Sequence, residues 1–125
     1  MKKLLIAAIA AMTLSVPTQA GWFSNYFKYT KTKHPIVLVP GIFAFDSIAG
    51  IDYWYQIPSA IESRGGRVFI PKINAFDSSP ERGEALIAQL EEIKATSGGR
   101  INKFNLMGHS QGGMTSRYVM SVRPD

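Results

Sequence analysis

The sequence contains no cysteine, and this absence excludes a disulfide scaffold, a thiolate metal site and a cysteine nucleophile within its 125 residues. It is also poor in charge. Asp, Glu, Lys and Arg make up 18% of the residues, against 46% apolar ones, whereas a disordered chain has the opposite balance. Eleven glycines and seven prolines are too few for a low-complexity chain. The remaining interpretation is a globular chain, long enough for one domain of ordinary size.

The first twenty residues have the three regions of a secretory signal peptide. Lys2 and Lys3 form a basic start, residues 4–14 are an uncharged apolar run, and Thr18 and Ala20 are small residues at the cleavage positions. A membrane anchor is the other interpretation, but it needs about 20 apolar residues, more than this run supplies. We therefore expect cleavage after Ala20, secretion with transient periplasmic passage, and no transmembrane anchor.

The positive charge of the chain is partly in this leader. Residues 1–20 hold two lysines and no acid, so without them the formal net charge falls from +5 to +3. Residues 26–33 are basic and aromatic, a composition that can bind nucleic acid or an anionic membrane surface. A solvated N-terminal arm has the same composition, and a secreted protein rarely meets nucleic acid. We expect no nucleic-acid partner.

Apolar runs and helix signals alternate along the rest of the chain. Short apolar runs predict strands at about 36–39, 68–70 and 103–107. Helices are predicted from Pro58 to about Arg64, from Ser79 to the glycines at 98 and 99, and from Gln111 to about Val122. This order predicts an α/β fold in which a parallel sheet is joined by right-handed crossover helices.

The second predicted helix has the strongest start signal. Ser79 is expected to cap it, Pro80 to occupy its first position, and Glu81 to lie near the positive end of its dipole. Apolar residues at helical spacing mark one side of this helix and one side of the next: Leu86, Leu90 and Ile93, then Met114, Tyr118 and Val122.

Residues 108–112 form a G-x-S-x-G motif between an apolar strand and a helix, the context that a nucleophile elbow requires. There the Ser110 hydroxyl is presented above the sheet edge, at a helix N-terminus that favours developing negative charge. Gly108 and Gly112 are needed because a side chain would collide with the tight backbone, and Gly113 strengthens the pattern. The alternative is a glycine-rich turn whose serine caps the helix.

A nucleophilic serine also needs two N–H donors for the oxyanion. One donor is expected to be the backbone N–H of Gln111, directly after the serine. The second is expected from the loop after the first strand, where Gly41 lets the backbone come close and Ile42 carries the N–H. Pro40 has no N–H and cannot serve. An ordinary strand-end turn is the alternative for this loop.

Together these motifs resemble the secreted bacterial triacylglycerol lipases of the α/β-hydrolase fold, in the group that folds with a dedicated foldase. The resemblance runs from about Tyr29 to Asp125 and rests on residues 35–46, 50–54, 57–60, 82–84, 108–113 and 116–118. It implies an esterase that acts on long-chain acylglycerols at an oil–water interface. It also implies Ser110 as nucleophile, the N–H groups of Ile42 and Gln111 as oxyanion hole, and a structural calcium and a disulfide formed beyond residue 125.

Two positions in these motifs concern the loop after the first strand, which is expected to supply the second oxyanion donor. Where the family usually has His-Gly, this sequence has Pro40-Gly41. Arg82 lies in the family's Arg-Gly-Glu pattern, where it either braces that loop or is a solvated residue at a helix start.

The histidine base and the carboxylate of a serine triad are not found after the serine. In α/β-hydrolases the order is Ser, then Asp or Glu, then His. After Ser110 the sequence has one acid, Asp125, and no histidine. His34 precedes the first strand, and His109, the elbow's own variable residue, is expected to point away from the hydroxyl. No cluster of His, Asp and Glu has metal-ligand spacing.

We therefore interpret residues 1–20 as a signal peptide and residues 21–125 as the N-terminal part of a lipase domain, cut after the elbow helix. A phospholipase, a short-chain esterase or an acyltransferase would use the same elbow. A secreted non-catalytic module of the same fold, without the triad Asp and His, is the alternative class. Three strands cannot easily bury both faces of a parallel sheet, so we expect this stretch alone to be marginally stable, with an open last strand.

Overall fold

The structure is a computed structural model that describes residues 27–42 and 53–125. The expected signal peptide and most of the loop after the first strand lie outside the described residues. In chain order the described elements are β1 (Ile36–Val39), α1 (Ile57–Glu62), β2 (Val68–Phe69), α2 (Ser79–Thr96), β3 (Asn105–Gly108) and α3 (Gln111–Val122). No helix in these two ranges is both long enough and apolar enough to cross a bilayer.

The three strands form one parallel sheet in the order β2–β1–β3, which confirms the predicted α/β architecture. The first strand of the chain is therefore the central one, and all its residues are buried, as its continuous apolar run predicted. Ile36 pairs with Asn105 of β3, and Val39 pairs with Gly108. Because the strands are parallel, the residues that follow Val39 and Gly108 meet at the end of the sheet where the carboxyl ends of the strands lie.

Each face of β1 has its own core, because successive side chains of a strand point to opposite faces. On one face Val37 and Val39 pack under α2 and α3, with Leu86 and Val119 among their buried neighbours. On the other face lies a smaller cluster, made of Ile36, Leu38 and Trp54 with Tyr53, Ile61 and Val68 packed against it. The sheet is thus covered on one side by two long helices and on the other by α1 and the segment before it.

Several element ends differ from the sequence prediction. β2 ends at Phe69 instead of residue 70, and α1 covers Ile57–Glu62 instead of continuing to Arg64. β3 begins at Asn105, two residues after the predicted start, and continues to Gly108, because its pairing with β1 extends to that glycine. These shifts move no element out of order.

The predicted cap of α2 is wrong by one residue. Ser78 is the N-cap: its hydroxyl accepts a hydrogen bond from the Glu81 N–H at 3.4 Å, and the Glu81 carboxylate accepts one from the Ser78 N–H at 2.9 Å. This reciprocal pair is a capping box, and its S-x-x-E spacing selects Ser78 over Ser79. Hydrogen bonding with the Ser78 side chain, and less strongly with the Ser78 backbone, also lowers the pKa of the Glu81 carboxyl.

The bounds predicted for α3 are confirmed, but its buried side is not the apolar one. Met114 and Val122 are largely exposed, whereas Thr115, Ser116 and Val119 are buried. The reason is the closeness of α3 to the central strand, which leaves room only for small side chains there. The Ser116 hydroxyl meets its hydrogen-bonding need within the helix by donating to the Gly112 carbonyl at 2.8 Å.

Candidate active site

Ser110 lies at the sharp turn between β3 and α3, with φ +56° and ψ −127°. A residue with a side chain rarely adopts this backbone conformation, which costs on the order of 1–3 kcal/mol and persists only where the surroundings enforce it. Ser110 is the N-cap residue of α3, yet its side chain makes no capping hydrogen bond. The interpretation as a helix-capping serine is therefore wrong, and the exposed hydroxyl lies at the sheet edge without a capping role.

The backbone around Ser110 is packed too tightly for side chains at two of the neighbouring glycines. A Cβ on Gly108 would lie 2.4 Å from the Gly112 carbonyl oxygen, and a Cβ on Gly112 would lie 2.0 Å from the Val39 carbonyl oxygen. A Cβ on Gly113 would have its nearest neighbour at 4.0 Å. Gly108 and Gly112 are thus required by the close approach of β3, α3 and β1, whereas Gly113 is not.

The loop after β1 meets the elbow at Gly41. A Cβ on this glycine would lie 3.0 Å from the Ser110 Cβ and 3.2 Å from the His109 carbonyl oxygen. The Gly41 N–H donates a hydrogen bond to the Tyr53 hydroxyl at 3.1 Å. The next N–H along the loop is that of Ile42, whose side chain is 40% exposed.

The first turn of α3 uses two of its N–H groups within the elbow. The Gly112 N–H donates to the His109 carbonyl at 2.9 Å, and the Gly113 N–H donates to the Ser110 carbonyl at 3.0 Å. The Gln111 N–H comes before both of them, at the first residue of the helix and directly after Ser110. The structure therefore places Ile42 and Gln111 on the two backbone segments that meet beside the serine.

Arg82 braces the loop after β1 from inside the protein. It is fully buried, and its guanidinium donates to the Pro40 carbonyl at 2.6 Å, to the Asn74 carbonyl at 2.7 Å and to the Thr115 hydroxyl at 3.2 Å. The interpretation as a solvated residue at a helix start is wrong. Burial lowers the pKa of the Arg82 guanidinium, an effect that the negative charge of Asp77 opposes. The side chain stays charged at neutral pH.

The two residues after Arg82 join α2 to α3. A Cβ on Gly83 would lie 2.0 Å from the Tyr118 ring, so the ring packs directly on the helix backbone. The Tyr118 hydroxyl donates to the Glu84 carboxylate at 2.7 Å, and this bond raises the pKa of the tyrosine. Each residue of the Arg-Gly-Glu pattern therefore has a separate contact that holds the elbow helix in place.

Neither histidine is placed as a base for Ser110. The His34 carbonyl accepts a hydrogen bond from the Asn105 side chain at 2.9 Å, at the end of the sheet opposite the elbow. The His109 Nδ1 lies 2.6 Å from the Tyr53 hydroxyl and is engaged there. Asp125 accepts from Arg123 at 3.5 Å, beyond the far end of α3. Among the described residues no group of three or more His, Asp or Glu side chains is arranged to hold a metal.

Tyr53 is the site residue that the sequence analysis did not assign. Its hydroxyl contacts Gly41 on one segment of the site and His109 on the other. The second contact joins residues 56 positions apart, and no local pattern in the sequence signals such a long-range contact. In the sequence, Tyr53 was noted only as a member of the motif at residues 50–54.

Comparison with known families agrees with this geometry. A model of the α/β hydrolase fold matches residues 34–125, nearly the whole of the described chain. The chain belongs to this family. The matched part contains all three strands and the complete elbow, so the α/β hydrolase assignment rests on the same residues that build the candidate site.

Several curated relatives are named triacylglycerol lipase. One from Vibrio cholerae is 50% identical over 97 residues, which are 78% of this chain and 30% of the relative. One from Pseudarthrobacter phenanthrenivorans and one from Burkholderia plantarii are each 43% identical over 100 residues, or 77% of this chain and 31% and 27% of the relatives. This α/β hydrolase therefore spans about three tenths of the length of the curated relatives that it matches.

Proposed function

We propose that this chain carries the nucleophile and the oxyanion hole of a serine ester hydrolase, and that the substrate is a triacylglycerol. The observation that supports the nucleophile is the conformation of Ser110, which is strained, exposed and free of a capping bond. A helix-capping serine would need none of these features. The substrate class is supported by the names of the relatives.

In the proposed mechanism the Ser110 oxygen attacks the ester carbonyl carbon, and its proton passes to a histidine base. The carbonyl oxygen becomes an oxyanion, which accepts hydrogen bonds from the Ile42 and Gln111 N–H groups. Collapse of this adduct expels the diacylglycerol alkoxide, which takes up the proton from the base, and leaves an acyl-serine ester. Water then attacks this ester through the same steps, releasing the fatty acid and restoring the serine.

The base and its orienting carboxylate would come from outside this sequence. His34 is at the wrong end of the sheet, His109 is engaged with Tyr53, and Asp125 is beyond the far end of α3. The relatives are about three times as long as the part that they share with this chain, which leaves room for both residues. A structural calcium, which the lipase resemblance implies, would likewise be held by residues beyond position 125.

We also propose export of the protein. The support is the basic start, apolar run and small-residue site of residues 1–20, with cleavage after Ala20 and residues 21–125 as the hydrolase part. Passage through the periplasm with help from a dedicated foldase follows from the lipase resemblance. N-terminal sequencing of protein collected outside the cell tests this, and a retained Met1 would contradict it.

The proposed nucleophile can be tested in a chimera. In this chimera the matched 97-residue segment of the Vibrio cholerae lipase is replaced by its counterpart from this chain. We expect the chimera to hydrolyse a triacylglycerol emulsion and to react with a fluorophosphonate probe at Ser110. Ser110→Ala should lower ester hydrolysis by about four orders of magnitude or more and abolish labelling. Ser121→Ala, a change of an exposed serine on the same helix, is the matched control and should change neither.

Two outcomes would contradict the proposal. If Ser110→Ala kept its activity, the nucleophile would be another residue. If the chimera unfolded cooperatively and yet neither hydrolysed ester nor reacted with the probe, the non-catalytic module would be the better interpretation.

A further inference from the structure

The Tyr53 hydroxyl joins the two backbone segments of the proposed oxyanion hole. It lies 3.1 Å from the Gly41 nitrogen and 2.6 Å from the His109 Nδ1. The Gly41 N–H can only donate, so the phenol oxygen accepts there and its own proton is available for His109. When the phenol donates that proton to Nδ1, Nδ1 is the acceptor and the ring proton of a neutral His109 lies on Nε2. We call the hydrogen-bonded set of Gly41, Tyr53 and His109 the clasp.

The clasp acts on residues directly beside the reacting groups. Gly41 precedes Ile42, and His109 precedes Ser110, so the distance across the clasp sets the distance between the loop donor and the nucleophile. The contact is already close on the backbone side, since a Cβ on Gly41 would lie 3.0 Å from the Ser110 Cβ. Any widening of the clasp therefore moves the Ile42 N–H away from an oxyanion on the Ser110 adduct.

The clasp is also well anchored. The Tyr53 ring packs edge-on against the buried Trp54, with 5.1 Å between ring centroids, and Trp54 in turn contacts the His109 ring at 6.2 Å. On the opposite side of the loop, Arg82 holds the Pro40 carbonyl. The loop is thus fixed from the protein interior by a guanidinium and from the elbow side by a phenol.

We propose that Tyr53 is a positioning residue for the oxyanion hole, acting through its hydrogen bonds to Gly41 and His109. The clasp would keep the Gly41 N–H turned toward the phenol and leave the Ile42 N–H as the loop donor. This inference rests on the proposed ester hydrolase function. It assigns to Tyr53 a geometric role and no contact with the substrate.

The kinetic test compares Tyr53→Phe with Tyr55→Phe in the chimera. The first change removes only the hydroxyl of the clasp, and the second removes the hydroxyl of an exposed neighbour. Because a small misplacement of a reacting or stabilising group lowers the rate, kcat of Tyr53→Phe should fall on the order of tenfold, with KM within about twofold of the parent. Tyr55→Phe should leave both constants unchanged. An unchanged kcat in Tyr53→Phe would overturn the proposal.

Changes at His109 separate the hydrogen bond from general packing. Asn carries an acceptor oxygen at the place of Nδ1, so His109→Asn should keep kcat within about threefold, whereas His109→Leu should lower it as Tyr53→Phe does. Combined with Tyr53→Phe, His109→Leu should cause little further loss, because both changes break the same bond. If the loss of kcat in the double variant equalled the product of the losses in the two single variants, the clasp would be overturned.

Hydrogen exchange at the Gly41 amide gives a readout that needs no catalysis. In Tyr53→Phe this amide loses its acceptor, so its exchange should accelerate by on the order of tenfold or more, while Tyr55→Phe should leave it unchanged. Unchanged exchange would overturn the clasp whether or not the enzyme is active. Accelerated exchange in a folded but inactive chimera would support the clasp and count against the ester hydrolase function, so the two failures are distinguishable.

Discussion

A pair of alanine substitutions, one residue apart, tests whether the elbow is as tightly packed as the structure indicates. Gly112 and Gly113 both lie in the first turn of α3, and both would gain helix propensity from alanine, up to about 1 kcal/mol. They differ in their surroundings. The added methyl at 112 would lie 2.0 Å from the Val39 carbonyl oxygen, whereas at 113 its nearest neighbour would be 4.0 Å away.

The free-energy difference between the two variants follows from these contacts. To accept the methyl of Gly112→Ala, the helix and the central strand must separate by about 1 Å or more, and such overpacking typically costs about 1–3 kcal/mol. The neighbouring atom belongs to the backbone and cannot rotate away, so we expect the upper part of this range, reduced by the propensity gain. Gly112→Ala should therefore lower the free energy of unfolding by about 2 kcal/mol, and Gly113→Ala should raise it by about 0.5 kcal/mol.

Urea unfolding of the chimera, followed by circular dichroism, measures both values. The same shift should reduce fluorophosphonate labelling of Ser110 in Gly112→Ala, because α3 carries the Gln111 N–H, the proposed oxyanion donor, away from its place beside the serine. A Gly112→Ala variant as stable as the parent would refute the packing argument. Equal destabilisation by the two substitutions would show that helix propensity or a global effect, and not the contact with Val39, determines the result.

Two further predictions concern α2 and can be measured in the same chimera. Arg82→Met leaves the Pro40 and Asn74 carbonyls without their donor and should therefore lower the free energy of unfolding by about 3 kcal/mol. It should also slow fluorophosphonate labelling of Ser110. Unchanged labelling would show that Arg82 does not hold the loop after β1. At the helix start, hydrogen bonds from Ser78 hold the pKa of Glu81 below its ordinary 4.5. The stabilisation by Glu81 is therefore present above about pH 4.5 and lost as the pH falls through the lower folded value. Glu81→Gln should flatten this acid limb of the stability curve, and an unaltered limb would contradict the capping box.

The order of the elements and the burial of β1 on both faces were predictable because they depend on local signals. Four consecutive β-branched or leucine residues at 36–39 predict a strand buried on both faces, and β1 is that strand. The cap of α2 was also encoded, since the S-x-x-E spacing that starts at Ser78 was present in the sequence. The choice of Ser79 failed because Pro80 was placed at the first helical position, whereas it occupies the second.

The site was predictable only where the chain itself makes the turn. The G-x-S-x-G motif located Ser110 because strand, serine and helix are contiguous. Two contacts of the candidate site bridge long distances in sequence: Arg82 reaches back 42 residues to Pro40, and Tyr53 reaches forward 56 residues to His109. Such contacts depend on which strand ends lie side by side in the parallel sheet. Hydrophobic periodicity along the sequence does not encode this order of strands. The buried side of α3 was missed for a related reason, since close packing on β1 selected small residues over the apolar ones.

The sheet edge formed by β3 leads to a last prediction, on the behaviour of residues 21–125 without a partner segment. Among the described strands β3 pairs with β1 on one side only, and Met107 on this edge is 50% exposed. Met114 and Met120 on the adjoining helix are 61% and 63% exposed. An apolar edge of this kind pairs with other chains, so sedimentation velocity should show concentration-dependent association of the isolated stretch. Met107→Lys should reduce this association, because a charge on an edge strand opposes pairing, whereas Met120→Lys, on the helix, should reduce it less. A monomer that unfolds cooperatively at all concentrations would show that residues 21–125 suffice to cover the sheet formed by the three described strands.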